Sequence, residues 1–562
     1  MKKRQLTYCL LFALLLACLG LRAQNLFTGA AGERIQVCTD RTMYVSGEKV
    51  YFSAVVYHLN ENVNTEFSRI FYCELITPDG KKIAGRKFLL QNSTGQGCVS
   101  IPQETVSGIY FLKCYTRFMR NAGTHQYKYV MLKIINPFKS EVLTGNYAHD
   151  TTVQGGNSMK LPGTDESMTI ISGKNTFAPR EKVRLSIIGN TGKEPPAALS
   201  LSVIPESTYN DVATMADRNP NGSGTGLFLP ETRGISLSGQ VIGKESGKPV
   251  PNARVNLSVI GDKDILVVLT DSNGRFIFAL APFHGNRDLF LCSEATGSVT
   301  PEILIDNDFC SKQVYLHSPR FALDADESKA ALKLAVNSKI TAIFNKDTLS
   351  HDYPGEENKT PFYGKPTEVL EMENYIDMPT LDEYFSELPV MVKLKKVRGK
   401  KHFWFLNAQA DMALYDPLVL VDWVAVNDIE KVLAMPPQTI ERIELVNTLY
   451  IKGNITFGGI ISFVSKKNDF AGIDLPASGK FINYNFLDTC SGNVPSPPLH
   501  RNFPDSRNTV YWNPAVQTNT QGVAGISFTV PDTPGRYYIL LRATSKTGEV
   551  TLTKETFFVK ND

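Results

Sequence analysis

The sequence predicts a mostly β protein that is built from several β-sandwich domains and one small α+β domain. Three observations support this fold class: short runs of apolar and aromatic residues, turn residues between these runs, and an internal repeat near the N-terminus. The chain has 562 residues, of which 42% are hydrophobic and 20% are charged. This length and composition fit several globular cores and exclude a largely disordered chain.

Strand-like segments recur along the chain and are bounded by Gly, Pro, Asn or Asp. Clear examples are Val50–Tyr57, Ile109–Tyr115 and Tyr129–Ile135. Few segments have the residue spacing of an amphipathic helix, and the best two are Leu381–Leu388 and Asp428–Leu433. The strands therefore outweigh the helices in the predicted architecture.

The N-terminus has the features of a signal peptide. A basic segment, Met1–Arg4, precedes the apolar run Leu10–Leu21, and the small residue Ala23 precedes Gln24 at the expected cleavage site. We therefore expect the mature chain to be exported. The alternatives are a short transmembrane anchor and a lipoprotein that is cut before Cys18.

Removal of the signal peptide changes the charge of the chain. The formal net charge falls from +3 to −1, because four basic residues lie before the cleavage site. The mature chain then has no overall positive charge that would favour nucleic acid. The densest basic run, Lys393–Lys401, precedes the apolar Phe403–Phe405. We expect this run to form a solvated strand face or a patch that faces anionic lipid headgroups.

Seven of the nine cysteines remain after cleavage, so at least one thiol is expected to be free. Cys38 and Cys114 lie in strand-like runs and are interpreted as buried thiols. Cys292 and Cys310 could form a disulfide, since both lie within one predicted domain. No Cys or His pattern in the sequence has the spacing of a zinc site.

An internal repeat relates two loops with a constant offset of 133 residues. Tyr44–Val50 aligns with Phe177–Val183, so that Glu48 corresponds to Glu181. In both copies an aromatic residue ends one strand, and a charged residue precedes the next strand after a tight turn. The repeat predicts two copies of one sandwich type.

The first copy lies within a longer motif, Val37–Phe52, whose sequence is VCTDRTMYVSGEKVYF. This motif resembles the opening of macroglobulin domains, in which the pattern T-D-(K/R)-x-x-Y-x-x-G-x-x-V recurs. The resemblance implies a macroglobulin-like β-sandwich over residues 24–137.

The second copy is too short to form a sandwich by itself. Residues 166–210 supply about three strands, whereas sandwiches of this kind have about seven. About four more strands are expected in residues 498–562. This segment also resembles macroglobulins, through Asn502–Ser506 and Phe528–Thr533. We therefore predict one discontinuous macroglobulin-like sandwich, with two separate incomplete modules as the alternative.

The first inserted module spans residues 235–320. Leu237–Ile242, Ser246–Val255 and Thr270–Phe276 resemble the carboxypeptidase regulatory-like, or transthyretin-like, fold. A metallocarboxypeptidase would need a His-x-x-Glu pair on zinc. His58–Glu61 fits this short pattern, but it lies in another predicted domain and is interpreted as a chance match.

The second inserted module spans residues 370–475. Pro417–Asp422, Ile440–Glu444 and Gly458–Val464 occur in the order found in plug domains of TonB-dependent outer-membrane receptors. The resemblance implies a small α+β plug-like domain. Trp423 stands where the family usually has Gly after the Asp, so we expect an altered turn at this position.

No catalytic, cofactor-binding or metal site is predicted. The sequence contains no G-x-S-x-G, P-loop or H-E-x-x-H motif, and no cysteine is followed by the Gly-Glu-Gln of the macroglobulin thioester. Asp324–Glu327 is interpreted as a solvated loop in preference to a calcium ligand set. The only site residues assigned are Ala23 and Gln24, at the predicted signal cleavage.

These features predict a non-enzymatic exported envelope protein without a cofactor, located in the periplasm or at the outer membrane or cell surface of a Gram-negative bacterium. The plug resemblance favours an accessory, scaffold or binding component of TonB-dependent outer-membrane uptake or surface assembly. Expected partners are outer-membrane proteins, such as a TonB-dependent transporter, and not nucleic acid; membrane association would be peripheral or through these partners. The alternative is a macroglobulin-like protease-binding inhibitor without a thioester, in which the linker-like Asp211–Thr225 would be a bait-like segment.

Overall fold

Strands make up most of the regular structure in the computed structural model, which confirms the predicted fold class. The chain divides into two compact units: residues up to 234 with 309–351 and 487–562 form the first unit, and residues 235–308 with 352–486 form the second. None of the helices that the structure describes is long and apolar enough to cross a membrane. The structure describes residues 32–58, 68–143, 168–189, 195–210, 213–214, 228–294, 299–344, 360–388, 391–397, 399–406, 410–476, 478–488, 490, 497–498 and 502–560.

The first sandwich, in the first unit, has a core of interlocking aromatic rings. The ring of Phe52 meets those of Phe71 and Phe88 edge to face, with centroids 5.9 Å and 4.9 Å away. Gly97 makes room for them, since a Cβ atom there would lie 2.3 Å from the Phe88 ring. Its strands run in the order β1-β3-β6-β5-β4-β7-β8, with the bounds β1 Glu33–Thr39, β2 Met43–Val45, β3 Lys49–His58, β4 Ile70–Ile76, β5 Lys82–Gln91, β6 Thr94–Ser100, β7 Gly108–Thr116 and β8 Lys128–Ile135.

The second sandwich combines two distant segments of the first unit. In one sheet β11 lies between β9 and β31, and in the other β12 lies between β30 and β32. Val183 and Leu201 share one buried apolar cluster with Ile539 and Phe557. The early and late strands therefore form one core. Their bounds are β9 Met168–Ser172, β10 Thr176–Phe177, β11 Lys182–Gly189, β12 Ala198–Pro205, β30 Tyr511–Asn513, β31 Val523–Thr529, β32 Gly535–Thr544 and β33 Val550–Val559; the short β13 Ala213–Thr214 pairs with β8 instead.

The 133-residue repeat corresponds to the same loop geometry in both sandwiches. Gly47 and Arg180, which the repeat aligns, both have positive φ, of 90° and 61°. The carboxylates of Glu48 and Glu181 each accept a hydrogen bond from the backbone N–H three residues earlier, at 2.7 Å and 3.0 Å. The conserved spacing within the repeat therefore specifies a tight turn that the glutamate closes.

The second unit contains the module that the sequence predicts to be transthyretin-like, and its strands form two small sheets. One sheet has the order β17-β14-β19, and the other has the order β16-β15-β18-β29. The last strand, β29, follows the plug-like segment in sequence, and residues 309–320 lie in the first unit instead. The bounds are β14 Ile235–Gly243, β15 Arg254–Val259, β16 Ile265–Leu269, β17 Arg275–Leu280, β18 Asn286–Glu294, β19 Pro301–Ile305 and β29 Lys480–Asn485.

The module that the sequence predicts to be plug-like, also in the second unit, has a sheet with the order β20-β25-β28-β23-β24 and two short helices. The side chains of Thr380 and Asp428 cap the helices by accepting hydrogen bonds from backbone N–H groups of the first turn. The bounds are β20 Glu368–Glu371, β21 Val392–Val397, β22 Lys400–Phe405, β23 Leu418–Val421, β24 Val424–Ala425, β25 Ile440–Val446, β26 Tyr450–Lys452, β27 Ile455–Phe457 and β28 Ile460–Ser465, with the helices α2 Leu381–Glu387 and α3 Ile429–Leu433.

One long helix, α1 Ala325–Phe344, was not expected from the sequence. The prediction of a solvated loop at Asp324–Glu327 is wrong, because these residues cap the helix: Asp324 accepts from the N–H of Glu327, whose carboxylate accepts from the N–H of Asp324. The helix buries Leu334 against β2 but exposes Leu332, which is 68% accessible. Apolar residues on two faces obscure the periodicity by which such a helix is recognised.

The guanidinium group of Arg41 is the centre of a buried polar network in the first unit. Its side chain is only 3% exposed and pairs with Glu48 at 2.9 Å and Asp40 at 3.5 Å. It also donates hydrogen bonds to Thr509 Oγ1 at 3.0 Å and to the carbonyl of Met43 at 2.8 Å. Residues from the start and the end of the chain thus share one buried charge cluster.

The network continues to helix α1. Asn508 donates to Glu48 Oε1 at 2.6 Å and to the carbonyl of Leu334 at 3.0 Å, and it accepts from Asn337 at 3.0 Å. The two sandwiches and the helix are therefore joined by directional polar contacts as well as by apolar packing.

One disulfide, Cys98–Cys490, joins β6 to the segment that follows the second unit. Cys38 and Cys114 are buried free thiols, as predicted. The suggested pairing of Cys292 with Cys310 is wrong, because both are free and buried. Burial raises the pKa of Cys292 to about 12, so this thiol stays protonated and unreactive at neutral pH.

We predict that alkylation of the unfolded, unreduced protein labels five of the seven cysteines between positions 38 and 490. In the folded protein all five free thiols are buried and should react far more slowly. Peptide mass spectrometry after labelling measures both results. Label on Cys98 or Cys490 before reduction would contradict the disulfide, and reduction followed by labelling of all seven positions serves as the control.

A second prediction concerns the acid stability of the discontinuous sandwich. Arg180 donates two hydrogen bonds to Asp532, at 2.7 Å and 2.6 Å, and these hold the pKa of Asp532 below its ordinary value of 3.8. The Asp532 carboxyl group therefore binds a proton more tightly in the unfolded state than in the folded state. The stabilisation of the folded state is lost as the pH falls below about 4. We expect Asp532→Asn to cost about 1 kcal/mol at pH 7 and to cost less at pH 3.

Urea unfolding at pH 7 and pH 3 measures this difference. Glu104→Gln is the matched control, because the Glu104 side chain is 84% exposed in its ion pair with Lys139 and should contribute little. An equal loss at both pH values for Asp532→Asn would contradict the electrostatic explanation.

Candidate functional site

The residues that the sequence marks for particular chemistry do not come together in one site. Ala23 and Gln24 lie outside the described residues, and so does Glu61 of the His58–Glu61 pattern. His58 ends β3 of the first sandwich. Within the part of the chain that the structure describes, no group of three or more His, Cys, Asp or Glu side chains could hold a metal ion.

The three plug-like motifs do come together. Pro417–Asp422 contains β23, Ile440–Glu444 opens β25, and Gly458–Val464 contains most of β28. β28 lies at the centre of the sheet, antiparallel to β25 and parallel to β23. Motifs that are up to about 40 residues apart in the sequence are therefore adjacent strands of one sheet.

The turn between β23 and β24 has an unusual backbone. Asp422 has φ 44° and Trp423 has φ 67°, the left-handed pair that a type I′ turn requires. Glycine adopts this conformation without strain, whereas for a residue with a bulky side chain it is unfavourable in free energy. The turn therefore differs from the expected motif in its side chain, because it carries tryptophan, but its backbone has the conformation that glycine favours.

The Asp422 carboxylate holds this turn against the end of the central strand. Its Oδ1 accepts from the N–H of Ser465 at 2.7 Å, and its Oδ2 accepts from the Ser465 hydroxyl at 2.6 Å and the N–H of Phe470 at 2.8 Å. Asp422 is only 8% exposed. A buried carboxylate with three donors is a positioning group for the local backbone.

Trp423 connects the plug-like module to the transthyretin-like module within the second unit. Its side chain is 7% exposed, and its ring stacks at a tilt on Tyr363, with centroids 5.9 Å apart. Its carbonyl accepts from the Ser258 hydroxyl of β15 at 2.8 Å, and Lys263 Nζ lies 5.8 Å from its ring centroid. The strained turn is therefore a contact point between the two modules.

Further contacts support this junction. Lys452 Nζ forms an ion pair with Asp264 at 2.6 Å. A Cβ atom on Gly453 would lie 2.1 Å from the carbonyl oxygen of Val267, so only glycine allows the approach. Residues of both modules form one apolar cluster, whose buried members are Ile265, Val267, Leu418, Leu420, Ala425, Val446, Phe457 and Ile460.

Glu444, the second glutamate of the I-E-R-I-E motif, has a structural role at the same junction. It is 5% exposed, pairs with Arg442 at 2.7 Å and accepts from the Tyr363 hydroxyl at 2.6 Å. Burial, together with this hydrogen bond, raises the pKa of Tyr363. The phenol therefore remains a hydrogen-bond donor at physiological pH.

Sequence reasoning missed Tyr363, Gly453 and Lys452 as members of the junction, since their roles depend on a partner module. One signal was present in the sequence: Trp423 stands where the plug motifs that the sequence resembles usually have glycine, and its backbone has a positive φ of 67°. Two ion pairs, Lys452–Asp264 and Arg442–Glu444, lie at the junction and help to position the two modules.

Comparison with known proteins gives two outcomes. No protein-family model matches the sequence, and no curated protein matches it. Among solved structures, the chain is similar to Salmonella alpha-2-macroglobulin reacted with methylamine, with 10% identity over 95% of this chain and 40% of that chain at a TM-score of 0.24.

Two further structures extend this comparison. Trypsin-activated alpha-2-macroglobulin from Escherichia coli shows 10% identity over 94% of this chain and 42% of its own, at a TM-score of 0.24. Dimeric latent PorU from Porphyromonas gingivalis shows 11% identity over 49% and 34%, at a TM-score of 0.15. The chain thus spans about two fifths of the length of the macroglobulins that it matches.

We predict that Trp423→Ala destabilises the second unit by about 2–4 kcal/mol, because it removes a buried ring at the module junction. Trp423→Gly should cost about 1 kcal/mol less than Trp423→Ala, because glycine adopts the left-handed backbone without strain. Urea unfolding of the full chain gives both values.

Hydrogen exchange locates the effect, which should appear in β15 and β23, on the two sides of the junction. Trp404→Ala is the control, since that ring is 36% exposed in the same module. Equal stability of the Ala and Gly variants would show that the turn carries no backbone strain.

Proposed function

We propose that this chain is a non-enzymatic exported envelope protein of a Gram-negative bacterium. In this proposal it serves as an accessory or scaffold component of TonB-dependent outer-membrane uptake or surface assembly. Its partners would be outer-membrane proteins, above all a TonB-dependent transporter, and its own association with the membrane would be peripheral or through them.

The arrangement of the plug-like segments is the observation that carries this proposal. Their resemblance to receptor plugs rests on three short motifs, and all three lie side by side in the sheet around β28. Short motifs that matched by chance would not be expected to form adjacent strands of one sheet. The resemblance therefore supports a plug-like domain and, through it, a partner of the TonB-dependent class.

The junction at Trp423 supports a scaffold role. A receptor plug acts inside its own receptor, whereas this module packs against the transthyretin-like module through Trp423, Gly453 and the Lys452–Asp264 pair. Two modules fixed to each other present one rigid surface. A rigid composite surface is suited to binding a partner, because little conformational freedom is lost on association.

Exposed apolar side chains of the plug-like module give the positions for a test. The side chains of Ile376 and Leu414 are 85% and 76% exposed to solvent. A photo-reactive amino acid at either position would therefore contact whatever docks on this module. Phe138, which is 69% exposed on the first sandwich, is the matched control position.

The experiment expresses the full chain with the photo-reactive residue in its native host, irradiates the cells and identifies cross-linked proteins by mass spectrometry. We expect Ile376 or Leu414 to cross-link to a TonB-dependent receptor subunit, and Phe138 not to do so. Cross-links to a protease from these positions would favour the protease-binding alternative. Cross-links to neither class, with normal export and folding, would contradict the proposed function.

A further inference from the structure

The hairpin β21–β22 of the plug-like module separates an apolar side from a basic side. Val392 on the first strand pairs with Phe405 on the second, and Leu394 pairs with Phe403. Val392, Phe403 and Phe405 are buried in the module core. Because side chains alternate along a strand, the residues between them point away from this core.

The outward side is defined here as the basic face. It consists of three lysines, one histidine, one valine and one tryptophan: Lys393, Lys395, Val397, Lys400, His402 and Trp404. Two further lysines, Lys396 and Lys401, lie opposite each other in the register of the two strands near the turn. The hairpin therefore concentrates positive charge at its free end.

Most of these charges have no acidic partner. Among the residues that the structure describes, the ammonium groups of Lys395, Lys396 and Lys400 form no ion pair. Lys401 differs, since it pairs with Asp382 at 2.8 Å. Three adjacent like charges on a two-stranded hairpin repel one another, and this repulsion is relieved when an anionic surface approaches.

The basic face also carries apolar and aromatic groups that suit an interface between water and lipid. Trp404 is 36% exposed, and Lys395 Nζ lies 3.6 Å from its ring centroid. Val397, beside the turn, is 50% exposed. Tryptophan rings and lysine side chains both favour the headgroup region, where the apolar part is buried and the polar part is hydrated.

We propose that the free end of the β21–β22 hairpin, with Lys395 and Lys400 of the basic face and Lys396 of the opposite side, binds anionic lipid headgroups at a membrane surface. The lysine ammonium groups would contact the phosphates, and Trp404 and Val397 would enter the boundary between headgroups and acyl chains. This inference deepens the peripheral membrane association proposed above. It requires no transporter, so its test in lipid alone is independent of the plug-like partner.

The test uses full-length mature protein and vesicles of phosphatidylcholine with about one third phosphatidylglycerol. The variant Lys395→Gln/Lys396→Gln/Lys400→Gln should bind about 100-fold more weakly, since each lysine near an anionic surface contributes about a fivefold change in affinity. Binding should also weaken as the salt concentration rises, because the charges are solvent-exposed. Sedimentation of the vesicles measures the bound fraction.

The matched control is Lys248→Gln/Lys466→Gln/Lys467→Gln, which removes the same charge from exposed lysines of the second unit. It should bind like the unmodified protein. Equal losses in the two triple variants would show that only net charge matters and would overturn the proposal. Binding to pure phosphatidylcholine, or an unchanged affinity of the hairpin variant, would also overturn it.

Tryptophan fluorescence gives a second measurement. The chain has three tryptophans, and Trp423 and Trp512 are 7% and 4% exposed, so a change on vesicle binding should come from Trp404. We expect a blue shift with anionic vesicles that Trp404→Phe abolishes. A soluble polyanion, such as polyphosphate, should bind without the shift. Tight polyphosphate binding without any vesicle binding would contradict a lipid surface as the ligand.

Discussion

The buried guanidinium of Arg41 imposes the constraint on which the organisation of the first unit depends. A buried charge is tolerated only if opposite charges and hydrogen-bond acceptors surround it, and removal of one partner typically costs about 3–5 kcal/mol. Here the partners come from the loops after β1 and β2 and from Thr509, more than 450 residues later, while Asn508 links the same cluster to helix α1. The T-D-R-x-x-Y pattern is thereby explained, because the Tyr44 hydroxyl donates to Asp40 at 2.7 Å. The first sandwich and the C-terminal strands are thus energetically coupled.

The strands were predictable because their signals are local. Alternating apolar residues, turn residues and each copy of the repeated motif span fewer than about 15 residues, and each is visible without knowledge of the partner strand. Helix α1 was missed because it exposes Leu332 and Val336 while it buries Leu334, so neither face is uniformly polar. The Cys98–Cys490 disulfide, and the addition of β29 to the transthyretin-like sheet, depend on contacts between distant segments. Such contacts leave no mark in the local sequence.

The candidate site shows the same division between local and distant information. The three plug-like motifs predicted a sheet, and the departure at Trp423 predicted an altered turn. The partners of Trp423 could not be predicted, since Ser258, which donates to its carbonyl, and Tyr363, which contacts its ring, lie far away in sequence. A residue that violates a local backbone rule is often retained because the surrounding structure compensates for it. Trp423 fits this principle, since the strain that it adds to the turn is offset by the packing that joins two modules.

The Cys98–Cys490 bond has a topological consequence. The cysteines are 392 positions apart, so the bond closes most of the chain, including all of the second unit, into a covalent ring. A single peptide-bond cleavage anywhere within this ring opens it but releases no fragment, and both new ends stay attached to one molecule. The linker-like segment Asp211–Thr225 lies inside the ring. Where proteases are present, the ring would keep the modules together after a cleavage that would otherwise divide the protein.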